Sequence, residues 1–136
     1  MILARKMIKK YLPQEVLVYH RQYFRWKCER RYMKSIQTSL RHIVASGGYH
    51  VQGGIFKGMD YIDVATGSVL TPKLIGSYEE ELHEAFQKIF KEPYEVIVDI
   101  GCAEGYYTVG LARRFPHARV YAFDSDKRSC RLTARM

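Results

Sequence analysis

The chain has 136 residues, a formal net charge of +8, and 47% apolar and 26% charged residues. This length suits a single domain, and the composition is that of a globular protein rather than a disordered or fibrous one. No apolar run approaches the roughly 20 residues that span a bilayer, and the N-terminus lacks the apolar stretch of a secretory signal. The three cysteines are widely spaced and form no C-x-x-C pair, so we expect a reducing, cytoplasmic environment.

The positive charge is concentrated at the N-terminus. Residues 1–45 hold 11 basic and two acidic residues, residues 46–98 hold four and eight, and residues 99–136 hold seven and four. A basic, aromatic-rich segment can contact the phosphates of nucleic acid or of anionic lipids. It can also be a solvated helix face, which we favour because no nucleic-acid-binding motif accompanies it.

Two helices are predicted in the N-terminal third. The spacing of apolar residues over residues 2–12 gives one stripe on a short helix. From Glu15 to about Ser46 apolar residues recur every three or four positions, which predicts a long amphipathic helix with Lys and Arg on its other face. Gly47-Gly48 ends it, because glycine adopts the left-handed C-cap conformation readily. The aromatic side chains of residues 19–32 are predicted to be core residues rather than a base-stacking platform.

The middle of the chain predicts a hairpin and a helix. Residues 54–63 alternate in character around a glycine turn, which indicates two short antiparallel strands. Ser77 with Glu80 three residues later fits a capping box, and the acidic residues there favour the positive end of a helix. We expect this helix to run to Phe90 or Lys91.

The last third has the order strand, glycine turn, helix, strand. Residues 95–100, EVIVDI, form an almost continuous apolar run, typical of a parallel strand that is covered on both faces. Residues 106–115 have helical spacing, and residues 119–123, RVYAF, form a second strand. Together they predict a βαβ unit with a right-handed crossover, followed by a helix from about Asp126.

The turn after the first strand is the candidate ligand site, because ligands bind beyond the carboxyl ends of the strands in an open α/β sheet. Gly101 allows a sharp turn and a close approach, and Gly105 lets the helix pack on the strand. The helix N-terminus offers N–H groups to an anionic group such as a carboxylate. Asp124, at the end of the second strand, can accept hydrogen bonds from both hydroxyls of a ribose. The spacing is G-x-x-x-G rather than G-x-G-x-x-G, which disfavours an NAD-binding oxidoreductase.

Other catalytic motifs are weaker. His83-Glu84 begins the zinc motif H-E-x-x-H, but Gln87 replaces the second His, so a zinc protease is disfavoured and no metal site is predicted. The remaining histidines are scattered and are expected to be surface or capping residues. We expect Cys102 to be a small packed residue rather than a nucleophile, since no His stands beside it in the sequence.

These residues resemble a known family. The stretch DIGCAEGYYTVGLA, residues 99–112, is similar to motif I of class I S-adenosylmethionine-dependent methyltransferases, and YAFDSD, residues 121–126, to the acidic segment that follows it. PKLIGSYEEELH, residues 72–83, resembles the segment that precedes motif I in FkbM-type methyltransferases. The resemblance covers about residues 54–136.

The resemblance implies S-adenosylmethionine as cofactor and a small molecule or glycan as methyl acceptor, often through a hydroxyl oxygen. The implied cofactor-binding residues are Asp99, Gly101, Cys102, Ala103, Glu104, Gly105, Tyr106, Asp124 and Ser125. Glu104 and Tyr106 would line the methionine moiety, Asp124 would bind the ribose, and Ser125 would lie near the adenine edge. The catalytic residue stays unassigned. For Tyr78-Glu79 a cofactor contact and a cap or surface role are both open.

The predicted fold class is therefore α/β. Residues 1–48 would be a basic helical segment, and residues 49–136 the N-terminal part of a Rossmann-like methyltransferase fold, with a hairpin, a helix and a βαβ unit. Because a class I sheet has more strands than these, we expect a truncated chain that lacks the acceptor pocket. The uncovered sheet edge predicts self-association. The alternative function is a nucleic-acid or membrane-surface binding module that uses residues 1–45, with the α/β part as a non-catalytic scaffold.

Overall fold

A computed structural model describes residues 14–136, apart from the side chains of residues 15–17 and 20. The helix predicted over residues 2–12 lies outside the described residues. The chain divides into two compact units, the first reaching Ser39 and the second being Leu40–Met136. The division falls inside the long helix, because the apolar side chains of Leu40, Ile43 and Val44 pack against the core of the second unit.

The long helix α1 is Gln14–Gly47, close to the predicted range. Its end is confirmed as a glycine C-cap: Gly48 has φ 65°, and its amide donates to the carbonyl of Val44 at 2.8 Å. The prediction that the aromatic side chains of this helix are buried is wrong. Trp26 is 50% exposed, and its ring lies 6.0 Å from that of Tyr23 along the same helix. Among the described side chains of α1, those that pack against the core lie in its last two turns: Leu40, Ile43 and Val44.

An isolated antiparallel bridge between His50 and Asp60 stands in place of the predicted hairpin. The amide of Val51 donates to the carbonyl of Met59 at 2.9 Å, and the amide of Tyr61 donates to the carbonyl of Tyr49 at 2.8 Å. The strands expected within residues 54–63 are therefore wrong, and most of the intervening residues form turns. The buried side chains of Val51, Met59 and Tyr61 fix this register, because they all belong to one core.

A short helix that was not predicted follows. This helix, α2, is Leu70–Ile75, and it ends where Gly76 adopts φ 85° and donates to the carbonyl of Pro72. The amide of Ser77 donates to the same carbonyl at 2.9 Å. Ser77 thus belongs to the end of α2 instead of the start of the next helix.

The predicted capping box is accordingly wrong. A single 3₁₀ turn forms at Glu80–Leu82, with Glu79 before it in a left-handed conformation and no side-chain cap. Helix α3, His83–Ile89, begins after this turn and ends one residue before the predicted limit at Phe90.

The βαβ unit is confirmed. Strand β1 is Val96–Ile100, helix α4 is Tyr106–Arg114 and strand β2 is Arg119–Phe123. The two strands are parallel, from Val96 opposite Arg119 to Ile100 opposite Phe123. Helix α5, Lys127–Thr133, starts after Asp126, whose side chain accepts a hydrogen bond from the amide of Arg128 at 2.8 Å. The described residues therefore form a mixed α and β structure with a small two-stranded parallel sheet.

One face of this sheet is exposed, so the prediction of a strand covered on both faces is wrong for the described part of the chain. Side chains alternate between half-buried and exposed along both strands. Ile100 is 85% exposed. The other exposed apolar side chains on this face are Val96, Val98, Tyr121 and Phe123.

The core lies on the side of α4, where the segment after α1 packs against the start of that helix. Its fully buried members are Val51, Phe56, Met59, Tyr61, Leu70, Leu74 and Tyr106. A β-carbon on Gly110 would lie 2.6 Å from the ring of Phe56, so the glycine permits this close packing. Within residues 14–136, no helix combines the length and the apolarity that crossing a bilayer requires.

Candidate functional site

The turn that follows β1 is pinned to the end of β2. The amides of Gly101 and Cys102 both donate to the carbonyl of Phe123, at 2.7 and 3.0 Å. Gly101 has φ 87° and is exposed, and a β-carbon built on it would meet nothing within 4 Å. The backbone at Gly101 is therefore open to solvent.

Asp124 joins the turn to the residues after β2. Its Oδ2 accepts a hydrogen bond from the amide of Ala103 at 2.9 Å, and its Oδ1 accepts one from the amide of Asp126 at 2.8 Å. The amides of Asp126 and Ala103 lower the pKa of this carboxyl, so it is ionised at neutral pH. A carboxylate has about four acceptor positions, which leaves about two on Asp124 for further donors.

Two left-handed residues flank Glu104 in the turn. Ala103 has φ 47° and Gly105 has φ 103°. The carbonyl of Ala103 accepts a hydrogen bond from Thr133 Oγ1 at 2.9 Å, and a β-carbon on Gly105 would lie 3.1 Å from the Thr133 methyl group. Helix α5 thus packs directly on the turn, which explains why glycine stands at position 105.

The side chain of Glu104 is fully buried beneath the turn. Its Oε1 accepts hydrogen bonds from the hydroxyl of Tyr61 at 2.6 Å and from the ammonium of Lys73, and its Oε2 accepts one from the amide of Thr66 at 2.9 Å. Burial by itself would raise the pKa of this carboxyl, but the bonds from Lys73, Tyr61 and Thr66 hold it below its usual value. Glu104 is therefore a buried anion with its donors supplied by the protein.

Lys73 is as unusual as its partner, because lysine is almost never fully buried. Its residue exposure is 2%, and it lies in α2. Its ammonium is 4.6 Å from the ring centre of Tyr78 and 5.7 Å from that of Tyr106. The cation is thus compensated by one carboxylate and by two aromatic faces.

An aromatic cluster continues from Lys73 to the first turn of α4. Tyr106 is 2% exposed, and its hydroxyl has no hydrogen-bond partner among the described residues. The hydroxyl of Tyr107 donates to Oε2 of Glu79 at 2.6 Å. Burial, with the nearby Tyr78 and Glu79, raises the pKa of Tyr106 to about 12, and burial with Glu79 raises the pKa of Tyr107 as well. These hydroxyls therefore keep their protons at neutral pH.

The other predicted site residues have simpler surroundings. Oδ2 of Asp99 accepts a hydrogen bond from Thr108 Oγ1 at 2.5 Å, which ties β1 to α4. Cys102 is buried, and burial raises the pKa of its thiol, so it has little thiolate character. Ser125 is exposed beside Asp124.

The structure brings Gly101, Ala103 and Asp124 together at the carboxyl end of the sheet, while the side chains of Glu104 and Tyr106 lie in the interior. The residues that hold Glu104 and the turn were not predicted from the sequence: Tyr61, Thr66, Lys73 and Thr133. One signal was available. Lys73 interrupts the apolar stretch LTPKLI, and a buried lysine needs an anion.

Comparison of the chain with protein-family models, with curated proteins and with solved structures gives no match.

Proposed function

We propose that this protein transfers a methyl group from S-adenosylmethionine to an oxygen of a small molecule or glycan, using the N-terminal part of a Rossmann-like methyltransferase fold. The observation that carries the proposal is the pairing of Asp124 with the glycine turn. An ionised carboxylate at the end of β2 lies within hydrogen-bond distance of the turn at the end of β1. Parallel strands bind ligands at this end of the sheet.

The residues present fit the proposed cofactor. The acceptor positions that Asp124 retains match the two hydroxyl donors of a ribose. The open backbone at Gly101 would leave room for the ligand. The unpaired backbone N–H groups of the first turn of α4 would be the donors for its carboxylate. Because the turn is already formed, binding would cost little further ordering of the protein backbone.

S-adenosylmethionine supplies the electrophilic methyl group on its sulfonium when it is bound. The contribution of the chain is to bind and orient: Asp124 would fix the ribose, and the turn over residues 101–105 would fix the methionine moiety. The raised pKa of Tyr106 and that of Tyr107 make these side chains hydrogen-bond donors rather than general bases at neutral pH.

Isothermal titration calorimetry of the full chain with S-adenosylmethionine, S-adenosylhomocysteine and NAD tests the proposal. We expect both adenosyl ligands to bind and NAD to give no heat. Turnover is then measured by the release of S-adenosylhomocysteine in the presence of candidate hydroxyl acceptors. Tight binding of NAD, or no binding of either adenosyl ligand, would contradict the proposal.

A second function, binding of nucleic acid or of an anionic membrane surface, is supported by α1. The basic side chains described between residues 18 and 39 are exposed: Arg21, Arg25, Lys27, Arg30, Arg31 and Lys34. The acidic side chain described there, Glu29, is paired with Arg25 at 3.0 Å. The guanidinium of Arg30 lies 4.8 Å from the ring centre of Trp26, so cations and exposed aromatic rings are adjacent.

Gel shift with single-stranded RNA and sedimentation with anionic vesicles, each at low and high salt, test this second function. The variant Lys27→Gln/Arg30→Gln/Arg31→Gln/Lys34→Gln should bind more weakly and with a smaller salt dependence. Arg113→Gln/Lys127→Gln/Arg128→Gln/Arg131→Gln, which removes four exposed charges outside α1, is the matched control. If the protein binds neither the RNA nor the vesicles at low salt, this function is excluded.

A further inference from the structure

The turn over residues 101–105 is held in a conformation that its sequence does not favour. Ala103 has φ 47°, a left-handed conformation that costs a residue with a β-carbon about 1–2 kcal/mol. Among the described residues, the non-glycine positions with positive φ are Ala103 and Glu79. A conformation of this kind persists only where the surroundings over-determine it.

The contacts that hold this turn in place are made by Glu104, the residue directly after Ala103. Three donors from one stretch of chain, the Tyr61 hydroxyl, the Thr66 amide and the Lys73 ammonium, converge on its carboxylate. The carboxylate is fully buried, so water does not replace a donor that is lost. The direction of the Glu104 side chain is thereby fixed from three sides, and with it the backbone of the residue before it.

A buried ion pair is a poor device for stability alone. Its desolvation cost offsets most of the attraction, and apolar side chains of similar volume are often as stabilising or more so. The ion pair instead fixes the orientation of the Glu104 side chain. An apolar side chain at position 104 would fill the same space but would have no specific hydrogen-bond partners to orient it. The cation over the rings of Tyr78 and Tyr106 has the same property of fixing geometry.

We propose that Lys73 is a positioning residue for the ligand-binding turn: its contact with Glu104 holds Ala103 in the left-handed conformation in which the amide of Ala103 reaches Asp124. The proposal rests on the proposed function for its ligand, S-adenosylmethionine, but its structural part concerns the free protein. Lys73 itself is buried under the turn and acts through Glu104.

The decisive variant is Lys73→Met/Glu104→Leu, which replaces the pair by apolar side chains of similar size. We expect it to remain folded, with a urea midpoint close to that of the unmodified protein. The amide hydrogen exchange of Ala103, normalised to global unfolding, should become at least tenfold faster, because its bond to Asp124 is no longer held. The affinity for S-adenosylmethionine should fall at least tenfold.

Leu74→Val is the matched control, since Leu74 is fully buried beside Lys73 in α2 and belongs to the general core. It should lower the urea midpoint and leave the exchange of Ala103 and the affinity unchanged. Lys73→Gln, which removes the cation opposite Glu104 and keeps a polar side chain, provides a milder test should the double variant fail to fold. We expect it to speed the exchange of Ala103 by a smaller factor.

Exchange of Ala103 within twofold of the unmodified protein in the folded double variant, or in Lys73→Gln, would overturn the positioning role. The exchange measurement needs no ligand. If the unmodified protein does not bind S-adenosylmethionine, the proposed function fails, and the exchange rates still decide whether Lys73 fixes the turn.

Discussion

Oδ2 of Asp124 accepts a hydrogen bond from the amide of Ala103 at 2.9 Å, so the residue that follows β2 is bonded to the turn that follows β1. This one bond brings together a carboxylate and a glycine turn that are 21 residues apart in sequence. The site therefore depends on the parallel register of the two strands.

Asp124→Asn tests the role of this carboxylate in ligand binding. Charge-assisted hydrogen bonds are stronger than neutral ones, so we expect the affinity for S-adenosylmethionine to fall about tenfold or more. Calorimetry measures the change. Asp126→Asn is the control, because Asn caps a helix about as well as Asp and Asp126 caps α5. Equal losses in both variants would show that the Asp124 charge has no specific role.

Ala103→Gly should stabilise the protein. Glycine removes the cost of the left-handed conformation in the folded state, about 1–2 kcal/mol. It also makes the unfolded chain more flexible, which offsets part of this gain in the free energy of unfolding. We expect a net gain of about 0.5–1 kcal/mol in the free energy of unfolding, measured by urea denaturation. Ala112→Gly, at an exposed position inside α4, should instead lose about 1 kcal/mol. Loss of stability in both variants would mean that Ala103 is not strained.

The buried carboxyl of Glu104 predicts sensitivity to acid. Because its pKa is lowered in the folded protein, it stabilises the fold above its ordinary pKa, and this contribution is lost as the pH falls through the lowered value. Glu104→Gln should cost about 3 kcal/mol at neutral pH. Urea denaturation at decreasing pH should show this difference shrinking below about pH 4.5, since only the unmodified protein loses the contribution.

Glu92→Gln is the control for acid sensitivity, because Glu92 is exposed. Its unfolding free energy should follow that of the unmodified protein at every pH. A constant difference between the unmodified protein and Glu104→Gln across the acid range would contradict the assignment of a buried, ionised carboxylate.

The exposed face of the sheet predicts concentration-dependent self-association. Ile100 is 85% exposed and is flanked by apolar side chains on both strands. Ile100→Lys should weaken association measured by sedimentation equilibrium, since a charge on this face opposes its burial against a second copy. Ile75→Lys, at an exposed apolar position outside the sheet, should leave association unchanged. A protein that is monomeric at all concentrations excludes this surface as an interface between copies.

The sequence predicts well those elements whose pattern and boundaries are local. β2 has the predicted bounds, and β1 and α4 differ from them by one residue at one end, because apolar runs between glycine and proline leave few alternatives. Prediction fails where two adjacent elements compete for the same backbone groups. The amide of Ser77 is used by the end of α2, which displaces the helix start expected there, although Gly76 was a recognisable C-cap signal.

The residues of the candidate site also fall into two groups, those that the sequence predicts and those that it does not. Gly101, Gly105 and Asp124 are predictable because each has a position-specific reason within the βαβ unit. The contact between Lys73 and Glu104 joins residues 31 apart and depends on how α2 packs, so a pattern along the chain does not indicate it. The hairpin register fails for a related reason, since burial of Val51 and Met59 together is a property of the assembled core.

The separation of Lys73 from Glu104 has a consequence for synthesis on the ribosome. Lys73 is made 31 residues before its partner, and until Glu104 emerges its ammonium has to stay hydrated, because burying it alone costs several kcal/mol. A nascent chain that ends before the turn therefore keeps α2 open to water, whereas the pairing of Val51 with Met59 needs only residues already made. The packing of α2 into the core thus has to wait until the turn over residues 101–105 has been translated.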